Sequence, residues 1–91
     1  MKSDAKKLTK KHPGLTHSEM MKVTSHVQRR DGDWIQNTIM LEGYDVAFKY
    51  RRQKEYKNLT GARVNLTYYP DKQQVAGLDI EIMSVVRIKV S

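Results

Sequence analysis

The chain has no cysteine. Disulfide staples and thiolate metal sites are therefore excluded, and packing must hold the fold unaided. A reducing compartment suits such a chain, so a cytoplasmic location is the expectation. Long apolar runs are missing too. None approaches the roughly 20 residues a membrane helix needs, so no membrane association is expected. Residues 1–12 are basic, but no apolar segment follows them, and they are not read as a secretory signal.

The usual signatures of catalysis are also absent. There is no P-loop, no G-x-G-x-x-G and no G-x-S-x-G. His12, His17 and His26 have neither metal-ligand spacing nor a neighbouring nucleophile pattern. Asp79 and Glu81 share one strand face, and are more simply read as cross-strand partners of Asn65 and Arg63 than as a catalytic pair. The expectation is no enzymatic activity, no metal and no cofactor. Two Asn-x-Thr sequons begin at Asn58 and Asn65; they matter only in a secreted eukaryotic chain, which nothing else supports.

What is present is positive charge, unevenly placed. The 91 residues carry a net +7. Residues 1–12 hold five lysines against Asp4, and residues 44–63 hold six lysines and arginines against Asp45 and Glu55. Residues 13–43 are close to neutral and residues 64–91 balance. Such a distribution steers association with polyanions. The first dozen residues lack the apolar surface needed to offset their ordering entropy, and read as a disordered basic arm. Residues 13–91 are then one small domain with a thin core.

Alternation of apolar and polar residues organises that domain. Residues 78–90 place Leu78, Ile80, Ile82, Ser84, Val86, Ile88 and Val90 on one strand face. Before them, Thr16 and Glu19 form a capping box, which predicts a helical turn near residues 18–21. Residues 21–29 alternate as a first strand and residues 34–41 as a second. A three-residue loop with Gly32 left-handed would set Val27 against Ile35, Val23 against Ile39 and Met21 against Leu41. That register leaves His26 outward. A tight turn at Glu42-Gly43 would place Ile39 against Val46 and Asn37 against Phe48 in a third strand. Residues 51–60 lose the period of two and predict a loop or short helix. A fourth strand covers residues 62–69, and a turn at residues 70–74 leads into the fifth.

The expected fold is therefore mainly β, a small five-stranded antiparallel barrel. Its element order resembles the OB-fold, which places its helix between the third and fourth strands. An SH3-like barrel or an open sheet are the alternatives. OB-folds bind oligonucleotides across strands 2 and 3 and the loops joining strands 1–2 and 4–5.

That resemblance implies a ligand face. Arg29 and Arg30 sit at the first hairpin, Trp34 on the second strand, and Lys49 and Arg51 on the third. Trp34 among cations is the combination single strands require, though it could equally cover a barrel end. Arg52, Lys54, Tyr56 and Lys57 interleave a ring with phosphate-binding charges, on a loop that could also be merely solvated. The expected function is a non-enzymatic module binding RNA or single-stranded DNA through this basic face. A protein-protein adaptor is the alternative, using apolar surface around Met40, Met83 and Val85.

Overall fold

The alternating segments do become strands, and they close on one another. The computed structural model describes residues 14–91; the basic arm expected over residues 1–12 lies outside them. Strands β1 (Thr16–Asp31), β2 (Trp34–Leu41), β3 (Ala47–Arg52), β4 (Arg63–Val75) and β5 (Leu78–Val90) form a closed barrel in the order β1-β2-β3-β5-β4. Four neighbouring pairs are antiparallel, while β3 runs parallel to β5, with Phe48 beside Met83. This corrects the fully antiparallel expectation, for a topological reason. Five strands in a ring cannot alternate direction throughout, so one pair must be parallel. The β3–β5 ladder is short, and a notch of about 350 Å³ opens between residues 50–52 and 85–88.

Inside the barrel, Val23, Ile39, Leu41, Phe48, Val64, Leu66 and Tyr68 form the core. Each large apolar side chain removed from water contributes roughly 1.5–3 kcal/mol. Phe48 sits at the centre, with Tyr68 and Tyr44 edge-on to it at 5.0 and 5.5 Å between ring centroids.

Closure depends on β1 changing partners. Its first half pairs with β4 and its second half with β2. The strand bends at two bulges, one at residues 19–20 and one at Thr24. Met20 takes φ +59° in the first. Side chains satisfy the backbone exposed there: the Met20 N–H donates to Asn65 Oδ1 at 2.9 Å, and Arg63 donates to the Met20 carbonyl at 3.0 Å. The helical turn expected from the capping box is absent. Residues 18–21 are β-strand, because pairing with β4 satisfies more backbone groups than one helical turn could.

The β1–β2 register also differs from the expected one. The first hairpin turns on two residues, Gly32 and Asp33, with Asp31 opposite Trp34. Gly32 at φ +63°, first in the turn, fits a type II′ hairpin. Val27 consequently pairs with Thr38 outside, and His26 pairs with Ile39 inside. The extra residue at Thr24 then returns Val23 to the core.

In β5, Val85 faces Tyr68 and Arg87 faces Thr67, leaving Val86 as the unpaired bulge residue, 52% exposed. Met83, Val85 and Ile88 pack against the core. The single face predicted from residues 78–90 is thus split, and Met83 and Val85 do not form an outer apolar patch.

Pro70 does not end β4. It pairs with Met83, on an edge beyond the last β1 partner, where a missing N–H costs no ladder bond. The strands run on to a two-residue turn, Ala76-Gly77, with φ +51° and +81°. This is a type I′ pattern. Accordingly Asp79 and Glu81 face Gln74 and Lys72, not Asn65 and Arg63.

Candidate functional site

The outward residues of β2 are Trp34, Gln36, Thr38 and Met40, and those of β3 are Ala47, Lys49 and Arg51, since their inward neighbours Ile35, Asn37, Ile39 and Phe48 are buried. β1 adds Arg29 beside Gln36 and Val27 beside Thr38. Beyond the barrel, residues 70–81 of the β4–β5 hairpin project as a two-stranded arm. Gln73 on this arm accepts a hydrogen bond from Lys49 Nζ at 2.6 Å, which places the arm over the outer sheet face. Between arm and sheet lies a groove of about 620 Å³ lined by Val27, Arg29, Arg30, Gln36, Lys49 and Gln73, together with Asp31 and Thr38.

Three residues expected from the sequence to bind a ligand therefore line one groove: Arg29, Arg30 and Lys49. Two more stand beside it. The Arg51 guanidinium lies 5.4 Å from the centroid of the Trp34 ring, and Trp34 remains 41% exposed. A cation held against an exposed indole is a ready surface for a base or another flat π-system. Asp31 reduces the positive field. Asp71 is occupied elsewhere, accepting from Ser84 Oγ at 2.7 Å and from the Lys72 N–H at 2.8 Å. The Ser84 bond first, then the Lys72 amide, hold its carboxyl below the usual aspartate range.

The other candidates are not brought to this groove. Arg52 pairs with the buried Ile35 and so turns to the side of the sheet away from the outer face, where its guanidinium lies 5.5 Å from the Tyr50 ring and 5.1 Å from the Tyr56 ring. Lys54 and Lys57 are exposed on the connection between β3 and β4 and line neither region.

That connection, residues 53–62, has no helix and crosses the barrel end as an irregular segment. Side chains of β1 stitch it down. Gln28 pairs with Tyr56 as a strand would, donating to its carbonyl at 2.8 Å and accepting from its N–H at 3.2 Å. Asn58 donates to the His26 carbonyl at 3.0 Å, and the Leu59 N–H donates to His26 Nδ1 at 2.9 Å. His26 Nε2 then donates to Asn37 Oδ1 at 2.8 Å, and Asn37 Nδ2 donates to the Ile35 carbonyl at 3.1 Å.

His26 is buried, 7% exposed, rather than the surface residue expected from the sequence. With Nδ1 accepting and Nε2 donating, the arrangement fits a neutral imidazole with its proton on Nε2. Sequence reasoning missed His26, Gln28, Asn37 and Gln73. One signal was available for Asn37: a polar residue on the inward face of β2 requires a buried partner.

Tyr50 adjoins this network. Burial raises its phenol above the ordinary range, with the charge of Arg52 pulling the other way. Among the described residues, no group of His, Asp and Glu is gathered to hold a metal ion.

Compared with protein-family models, curated proteins and solved structures, the chain matches none.

Proposed function

We propose that the chain is a non-enzymatic binding module that holds RNA or single-stranded DNA in the groove between the outer sheet face and the β4–β5 arm. The observation that carries this reading is the convergence of Arg29, Arg30 and Lys49 on one groove beside the Trp34–Arg51 stack. The three cations contact phosphates, and the indole supplies a platform for a base. Gln36, Thr38 and Gln73 add neutral donors and acceptors. A phosphate at Lys49 would compete with Gln73 for the ammonium protons, so binding loosens the arm.

The strand order, with β4 and β5 exchanged around the ring, supports describing the barrel as OB-like. The groove then lies where that resemblance implies a ligand, over strands 2 and 3 and between the loops joining strands 1–2 and 4–5. The cysteine-free sequence suits a cytoplasmic setting.

Titration of labelled single-stranded oligonucleotides at low and physiological salt tests this. Affinity is expected to fall with salt, and Lys49→Met to reduce the slope of log affinity against log salt by about one. Trp34→Ala is expected to weaken binding by about 1–3 kcal/mol. Absence of salt-dependent binding at protein concentrations of about tens of micromolar overturns the proposal.

One observation favours a second reading, a protein-protein adaptor. Val75, Leu78 and Ile80 share one face of the arm and are 45%, 68% and 44% exposed. An apolar face of this kind suits a protein partner. A self-associated chain that ignores oligonucleotides, seen by light scattering, favours this reading over the first.

A further inference from the structure

The barrel end crossed by the connection over residues 53–62 holds a further cavity, of about 150 Å³. It lies beneath the stitched connection, lined by the Tyr50 and Tyr56 rings, Leu59, Ile88 and Val90, with Arg52 and Lys89 among its walls. His26 and Asn37 reach it from below, with their mutual hydrogen bond already made. No carboxylate lines it. A cavity of this size admits one benzene-sized ring.

Its cation is also prepared. The Arg52 guanidinium carbon lies over two tyrosine rings, 5.1 Å from the Tyr56 centroid and 5.5 Å from the Tyr50 centroid. The N–H edge is what a carboxylate engages in a bidentate pair. Tyr56, one of the two flanking residues, is itself held at its backbone by both bonds from Gln28. The stack is thus anchored to β1 rather than left to a free loop.

We propose that this cavity is a binding site for a small molecule consisting of one six-membered aromatic ring with an anionic group. The ring lies against Leu59, Ile88 and the tyrosines, and the anion meets Arg52, with Lys89 adding charge. The site is separate from the groove, and the inference does not rest on the function proposed for the groove.

The test is a titration of the isotope-labelled full chain followed by amide NMR, using three probes: benzoate, the neutral isostere benzamide, and acetate. Benzoate is expected to give saturable shifts at Leu59, Ile88, Lys89 and the Asn37 side-chain amide. Benzamide should bind about tenfold more weakly, and acetate should give no saturable shift. Arg52→Met keeps a flexible side chain against the two rings while removing the charge, and should abolish the preference for benzoate over benzamide. Leu59→Phe, filling the cavity from the connection, should remove the benzoate response. The spectra of both variants report directly whether they remain folded. The proposal is overturned if benzoate gives no saturable shift at millimolar concentration, if benzamide binds equally well to the unmodified chain, or if the responding amides belong to the groove.

Discussion

His26 does the work that a helix or a longer strand would do elsewhere: one imidazole joins β1, β2 and the crossing connection. Removing it leaves the Asn37 oxygen and the Leu59 amide without this partner. His26→Leu is therefore expected to lower unfolding free energy by about 2–4 kcal/mol in urea denaturation. The double variant His26→Leu/Asn37→Leu should recover part of that loss, because removing both polar partners leaves fewer groups buried without a hydrogen bond. Ala76 makes the opposite case. It sits at φ +51° beside Gly77, a conformation in which its Cβ is crowded by the backbone. Ala76→Asn creates the Asn-Gly pair preferred in type I′ turns and should stabilise the hairpin by about 0.5–1 kcal/mol, read as a raised denaturation midpoint.

Among the elements, the connection over residues 53–62 and the arm over residues 70–81 carry the two proposed sites, and the bonds that hold each can be removed singly. Gln28→Ala removes both bonds to Tyr56, so the Tyr56 amide should exchange with solvent markedly faster while amides of the core strands keep their protection. On the arm, Ser84 ties Asp71 across the β4–β5 ladder. The folded carboxyl has the lower pKa, so this tie is fully present above the ordinary aspartate range and fades as pH falls through the lowered value. Ser84→Ala should move the Asp71 titration upward toward the ordinary range, as followed by carboxyl-carbon NMR. The shift should be incomplete, because the Lys72 amide contact survives.

The elements also show what can be read from alternation and what cannot. The expected β2–β3 pairing set Ile39 against Val46, whereas Ile39 faces Phe48. That error is two residues, an even number, so every side chain stayed on its proper face. The outward set Trp34, Gln36, Lys49 and Arg51 was therefore legible in advance. In β1 and β5, single-residue bulges reverse the face partway along, exchanging His26 for Val27 and separating Val86 from the interior. No local residue preference announces a bulge at Thr24 or Val86; long-range closure onto β4 selects it. The arm was hidden for a related reason. Pro70 reads as a turn, and only the absence of a β1 partner at that point lets it sit within a strand.

At the scale of the molecule, closure requires β1 to meet β4, with Met21 beside Val64 and Thr16 beside Tyr68. Contacts this distant in sequence must form before the barrel gains its core, and the loop entropy comes first. Folding is accordingly expected in the millisecond-to-second range, and stopped-flow fluorescence of Trp34 would measure it. The charge distribution also acts at this scale. With a net +7, long-range attraction to any polyanion should be strong at low ionic strength and largely screened at physiological salt.

The arm has one more consequence. Every residue of the central core lies before Pro70 in β4 or outside the arm altogether, so the hairpin tip can be lengthened, shortened or rewritten without touching the interior. If the groove binds as proposed, what it holds against the outer sheet can therefore change over generations while the barrel keeps its fold. Substitutions that alter grip need not alter thermal endurance, and the two properties are free to evolve on separate schedules.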